Sequence, residues 1–187
     1  MSTSSRFAPL AGIALAFIMT GCDAPSAPNA SASASALREA KQTADLEKQL
    51  AAARAATAKY HDVAVARADG YVDDGFGCFS DPELGGMGWH LINDPLHADA
   101  AEDPLRPELL VYEVQKNGGL KLVALEYEVY QADWWNAGNT VLPSLFGQEF
   151  EALTIEGIDP IFALHVWAWL PNPSGMFADF NPNTACP

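Results

Sequence analysis

His90 and His165 lie in two apolar stretches, GMGWHLIN and ALHVWAWL, and a third stretch, LKLVALEYEVY, carries Glu126 and Glu128. Imidazole nitrogen and carboxylate oxygen are donors that zinc, copper and iron accept, and the same groups walled in by apolar side chains can do acid/base work. His90, His165 and Glu126 are therefore the candidate ligand set for a divalent transition metal, with Glu113 and Glu128 as further carboxylates of the same kind. Their separation along the chain is too wide for order alone to bring them together. A strand histidine that serves the core through a hydrogen bond is the competing reading. His61, on a helical stretch, and His97, in a polar loop, show no partner in the sequence. The chain holds no G-x-S-x-G, no H-E-x-x-H, no P-loop and no dinucleotide fingerprint.

The elements that must carry these residues follow from periodicity. MGWHLIN (87–93), ELLVYEV (108–114), LKLVALEYEVY (120–130) and IFALHVWAWL (161–170) are rich in branched and aromatic residues and bounded by Gly, Pro, Asn or Asp, which predicts four strands. Asn117, Gly118 and Gly119 tolerate positive φ and predict a hairpin turn between the second and third. Alternation puts Ile161, Ala163, His165, Trp167 and Trp169 on one face of the last strand. Its other face is also apolar, so the strand is expected in the middle of the sheet with His165 buried. On the third strand Val123, Leu125, Tyr127 and Val129 share a face, and Leu122, Ala124, Glu126, Glu128 and Tyr130 share the other. Trp167 and Trp169 beside His165 would wall a small-ligand pocket, which makes Trp167 a candidate binding residue.

Ahead of the strands, residues 37–68 are dominated by Ala, Leu, Glu, Lys, Gln and Arg and predict one helix, about 48 Å long if unbroken, with Gly70 placed to end it in the left-handed conformation. Leu46, Leu50, Ala53, Thr57, Tyr60 and Ala64 line one face, and the C-terminal half around Tyr60, Val63 and Ala64 is expected to pack on the sheet. A helix followed by antiparallel strands is α+β, and a curved, cone-like sheet wrapped on the helix is the expected architecture, with a small closed β-barrel bearing one helix as the alternative.

The N-terminus speaks to location. Arg6 precedes an apolar run, Phe7 to Met19, too short to span a bilayer, which ends in Met19-Thr20-Gly21-Cys22. That step resembles a bacterial lipoprotein box, so residues 1–21 read as a signal peptide and Cys22 as the lipidated (palmitate-type) mature N-terminus, anchoring the protein in the cell envelope. An ordinary secretory signal is the rival. Asp23 points to the periplasmic side of the inner membrane if the cell is Gram-negative. Residues 22–36, rich in Ala and Ser, read as a flexible tether. The charge is +2 over residues 37–68 and −16 over 69–187, the acidic globular domain. Such a surface repels nucleic acid and anionic lipid headgroups. The alanine-rich helix makes a poor zipper, so a monomer is expected.

Once Cys22 is assigned to the lipid, Cys78 and Cys186 remain as an even pair outside the reducing cytoplasm, where a disulfide is expected. It would hold the end of a loop in which Pro171, Pro173 and Pro182 fix φ and Asn172 and Asn181 can form Asx turns. GCFSDPELGGMGWHLIN and ALHVWAWLPNPSGMFADFNPNTAC together resemble an uncharacterised family of exported bacterial proteins, over about Tyr60 to Cys186. The resemblance brings no established activity. It implies that His90, His165, Asn172 and the glycine-containing loop belong to one shared feature. The expected function is a lipid-anchored domain binding a small molecule or metal ion near His90 and His165. An enzyme using His and Glu, and a structural envelope lipoprotein, are the alternatives.

Overall fold

The computed structural model describes residues 30–186, with side chains from residue 33. The predicted signal peptide, Cys22 and most of the tether lie outside the described residues. Helix α1 (Ala30–Thr57) starts inside the Ser-Ala run read as tether, since alanine is the strongest helix former and nothing there interrupts it. The predicted single rod is broken: a 3-10 turn (Ala58–His61) leads to a second helix, α2 (Val63–Ala68). Asp62 makes the break, its carboxylate accepting from the Ala64 N–H at 2.9 Å as an N-cap. Gly70 ends the segment with φ +99°. Residues 33–45 of α1 are exposed, whereas Leu50, Ala53 and Thr57 are fully buried, so the helix packs through its C-terminal half. Among the described residues no helix is long and apolar enough to cross a membrane.

Six antiparallel strands form one curled half-barrel. They are β1 (Val72–Asp81), β2 (Gly85–Ile92), β3 (Leu109–Val114), β4 (Leu120–Tyr130), β7 (Glu151–Leu153) and β8 (Ile161–Val166), in the order β1-β2-β3-β4-β8-β7. Short helices α3 (Asp94–His97) and α4 (Gln131–Asn136) and the hairpin β5 (Ser144–Leu145) and β6 (Gln148–Glu149) fill the connections. The fold is α+β as expected, and the closed barrel is not needed. β8 lies between β4 and β7 with all six residues buried, as its apolar faces predict.

Two departures bear on the site. Val111 pairs with Ala124 but Tyr112 with Leu122, so Val123 is an extra residue on β4 and alternation slips there. Leu122 thereby joins Leu125, Tyr127 and Val129 in the helix-side core, while Val123 packs with Ala124, Val111 and Trp167 on the other side. Glu126, Glu128 and Tyr130, beyond the bulge, keep the shared face that alternation assigns them. The second departure is that β8 stops at Val166. Trp167 N–H donates to Met176 O at 2.9 Å, and the N–H groups of Trp169 and Leu170 both reach Val123 O at 3.1 Å, so residues 167–170 leave the β8 ladder. Trp169 therefore does not share a wall with Trp167; it meets His61 edge-on, with ring centroids 4.4 Å apart.

Cys78 and Cys186 stand at bonding distance, their Cα atoms 5.6 Å apart. The C-terminal loop they hold lies on the glycine cluster before Trp89: Gly86 N–H donates to Asn181 O and Thr184 O, and Asn181 N–H returns a bond to Gly86 O. A Cβ at Gly85 would stand 2.3 Å from Asn181 O, and one at Gly86 2.7 Å from Thr184 O. Glycine is what lets two backbones approach this closely.

Candidate functional site

Three strands deliver the candidate ligands. Glu126 on β4 is paired directly with His165 on β8, so their side chains leave the same face side by side. His90 on β2 pairs with Val111, and Val111 with Ala124, which sets His90 two strands from β4 and one diagonal step from Glu126. The backbones are thus about 10 Å apart, a gap that two inward-pointing side chains close. His90 Nε2 lies 3.1 Å from Glu126 Oε2, and His165 Nδ1 lies 4.0 Å from the same oxygen. One donor atom from each residue falls within 4.8 Å of the other two. The expected trio is therefore one cluster, and His90 (2 % exposed), His165 (2 %) and Glu126 (6 %) are shut away from bulk water.

Burial opposes charge on all three. For His165 that term dominates and lowers its pKa to about 4, so its ring is neutral. For His90 burial also lowers the pKa, but the adjoining Glu126 carboxylate outweighs it and the net shift is upward. The same attraction overcomes burial at Glu126 and holds that carboxylate below its usual range. The cluster thus favours an ionised Glu126 paired with a protonated His90, beside a neutral His165. Its hydrogen bonding is incomplete. Both ring nitrogens of His90 and both of His165 are buried without a hydrogen-bond partner among the described residues. The 3.1 Å contact between His90 and Glu126 lacks hydrogen-bond alignment and acts as a charge contact. A tetrahedral ion with ligands at about 2.0–2.1 Å has ligand edges of about 3.4 Å. No pair here therefore has more than about 1.4 Å to close to hold one ion.

His90 and Glu126 also line a cavity of about 500 Å³, whereas His165 backs them from the far side. Residues 72–79 at the β1 edge and 153–159 at the β7 edge supply opposite walls. β1 breaks its pairing between Asp73 and Cys78, and the loop it throws out over His90 is shaped by Asx bonds from Asp73 and Asp74 to the N–H groups of Gly75 and Phe76. Phe79 sets its ring 5.6 Å from that of His90. Further along, α3 and β4 place a second pair in the cavity wall, His97 Nε2 at 3.3 Å from Glu128 Oε2. Burial pushes Glu128 well above the usual carboxylate range, with Glu126 adding to the shift, and burial lowers His97. Tyr130 lies against His97 with ring centroids 4.1 Å apart.

Other expectations are corrected. Trp167 lies tilted against the His165 ring, with centroids 4.8 Å apart, but does not line the cavity, and its indole N–H donates to Ala178 O at 2.6 Å. It supports His165 and clamps the C-terminal loop. Asn172 is likewise spent on the loop, donating to Phe180 O and accepting from Ser174 N–H. Glu113 faces Lys121 at 3.7 Å, away from the cluster. The sequence reading passed over His97 as a loop histidine. The signal that could have placed it is the Asn93-Asp94-Pro95 start of α3, which points to a short helical turn. No protein-family model, no curated protein and no solved structure matches this chain.

Proposed function

We propose that this chain is a lipid-anchored extracytoplasmic protein that holds a divalent transition metal through His90, Glu126 and His165, at the floor of a cavity open to a small-molecule ligand. The observation that carries the reading is the set of four buried imidazole nitrogens with no hydrogen-bond partner among the described residues, beside a buried carboxylate. An unsatisfied buried polar group costs about 1–3 kcal/mol, and a cluster of them in a native fold calls for an occupant. Three protein ligands with His90 and Glu126 facing a cavity leave a coordination position for an exogenous donor, the arrangement of a working rather than a closed metal site. The envelope location rests on the lipoprotein box at Cys22 and agrees with a cysteine pair at bonding distance. The acidic surface speaks against nucleic acid as a partner.

Elemental analysis of the purified soluble domain after equilibration with zinc tests the metal reading. One equivalent bound by wild type, lost in His165→Gln and in Glu126→Gln with the fold retained, supports it. A folded wild type with no bound metal returns the cluster to a charge-paired buried group. For the anchor, Cys22→Ala is expected to move the full-length protein from the detergent to the aqueous phase. Wild type that already stays in the aqueous phase removes the lipoprotein reading.

A further inference from the structure

We infer that the cavity accepts a small ω-amino acid, its carboxylate on the metal and its ammonium group between His97 and Glu128. The inference rests on the metal reading above and deepens it to a substrate class.

Charge is the first support. Six carboxylates line the cavity, those of Asp73, Asp74, Asp94, Glu126, Glu128 and Asp159, and no Lys or Arg lines it among the described residues. A divalent ion bound by two neutral imidazoles and one carboxylate makes the His90 end positive, while the His97 end keeps the carboxylates of Asp94 and Asp159. The loaded cavity therefore has a positive floor and a negative far end, complementary to a zwitterion and to neither a simple anion nor a simple cation.

The second support is independent of net charge. His97 is shut in, with 4 % of its side chain exposed, and its Nε2 has no hydrogen-bond partner among the described residues although Glu128 Oε2 is only 3.3 Å away. A positive charge beside Glu128 favours its ionised form against the burial that opposes it, and an ammonium with three donors satisfies that carboxylate and the unprotonated imidazole nitrogen at once. The His97 ring lies against that of Tyr130, and its backbone N–H donates to Asn93 O at 3.0 Å, which fixes the turn that carries it.

Length follows from the strand. Glu126 and Glu128 are two residues apart on one face of β4, so their carboxylates are separated by about 7 Å. Leu109, paired opposite Glu126, together with Ile92, Ile155 and Ile158, gives the wall apolar side chains suited to methylenes. A carboxylate and an ammonium joined by about three to five carbons match this span, and such molecules fit a cavity of about 500 Å³.

The test is calorimetric titration of zinc-loaded wild type with β-alanine, γ-aminobutyrate, δ-aminovalerate and ε-aminocaproate, each against the alkanoate of the same length without the amine. The expected result is an amine preference of about ten-fold or more at the γ to ε lengths and little at β-alanine. In Glu128→Gln that preference should collapse while the alkanoate affinity stays within about two-fold; His97→Asn should reduce it less. Equal affinity for amine and alkanoate at every length, in wild type that holds one zinc, overturns this inference and leaves the metal site standing. Wild type that takes up no zinc overturns the metal reading and this one together. The wild-type series needs no variant to fold.

Discussion

The two faces of one sheet are built on opposite terms. On the face covered by the helices the three fully buried tyrosines each donate their hydroxyl to a backbone acceptor: Tyr71 bonds Pro107 O at 2.7 Å, Tyr112 bonds Tyr60 O at 2.8 Å and Tyr127 bonds Pro104 O at 2.9 Å. Leu91, Leu110, Leu122, Leu125, Phe162 and Leu164 fill the space around them. On the other face the polar groups are just as buried, yet His90, His97 and His165 all have ring nitrogens without hydrogen-bond partners among the described residues, and a cavity lies beside them. Among the described residues the unpaired nitrogens concentrate on the histidine face, with the Trp169 indole the one buried ring nitrogen left unpaired against the helix-side core. Buried polar groups without partners beside a cavity are the physical mark by which a site differs from a core.

Breaking the bridge should have the largest effect, because it closes most of the folded chain into one loop. Replacing Cys78 and Cys186 by serine frees residues 108 apart in sequence, and the chain-entropy account assigns such a link about 4.7 kcal/mol. Denaturant melts of the double variant are expected to show that loss, with the C-terminal loop the first segment to exchange its amide protons. An unchanged midpoint would mean that Gly86 and Asn181 hold the loop unaided.

Next in size is a change confined to the helix face. Leu125→Ala leaves a hole in a fully buried cluster and should cost about 3 kcal/mol while metal uptake is retained, since Leu125 points away from Glu126. Comparable loss of metal and stability would show that the faces are not independent.

Acid should act mainly from the histidine face. In metal-free protein His165 has a folded pKa of about 4 against 6.5 for the free side chain, so the unfolded chain binds the proton first. The stability this neutral ring contributes is fully present above about pH 6.5 and is lost as pH falls towards 4, by about 3 kcal/mol in all. Glu126, shifted down, adds a loss at still lower pH; His90, shifted up, contributes stability that fades as pH rises instead. Melts of wild type and His165→Gln at several pH values isolate the His165 share, and parallel curves would contradict it. The smallest effect is expected from Tyr112→Phe, about 1 kcal/mol for one hydroxyl bond, with no change in pH dependence or metal content.

Much of this contrast was legible before any coordinates. Period-two alternation placed Glu126 and Glu128 on a common face, and the doubly apolar run around His165 marked a central strand. The cysteine count pointed to the bridge. What escaped was set by partners distant in sequence. β1, with its glycines and aspartates, lacks strand composition and forms because β2 offers an edge. The Val123 bulge exists only in relation to β3. Trp167 and Trp169 continue the alternation of β8 on paper, but Met176 and Val123 take their N–H groups and turn them out of the sheet. Asn172 enters the candidate site only through the resemblance, and its hydrogen bonds close the loop it belongs to.

The claim that the histidine face is completed by a metal is tested most directly by anomalous X-ray scattering from crystals of the domain soaked in zinc, with data collected on both sides of the zinc edge. The account predicts one strong peak about 2.0–2.2 Å from a ring nitrogen of His90, a carboxylate oxygen of Glu126 and a ring nitrogen of His165. Well-ordered density for the three side chains with zinc found only on surface carboxylates, or nowhere, would contradict it.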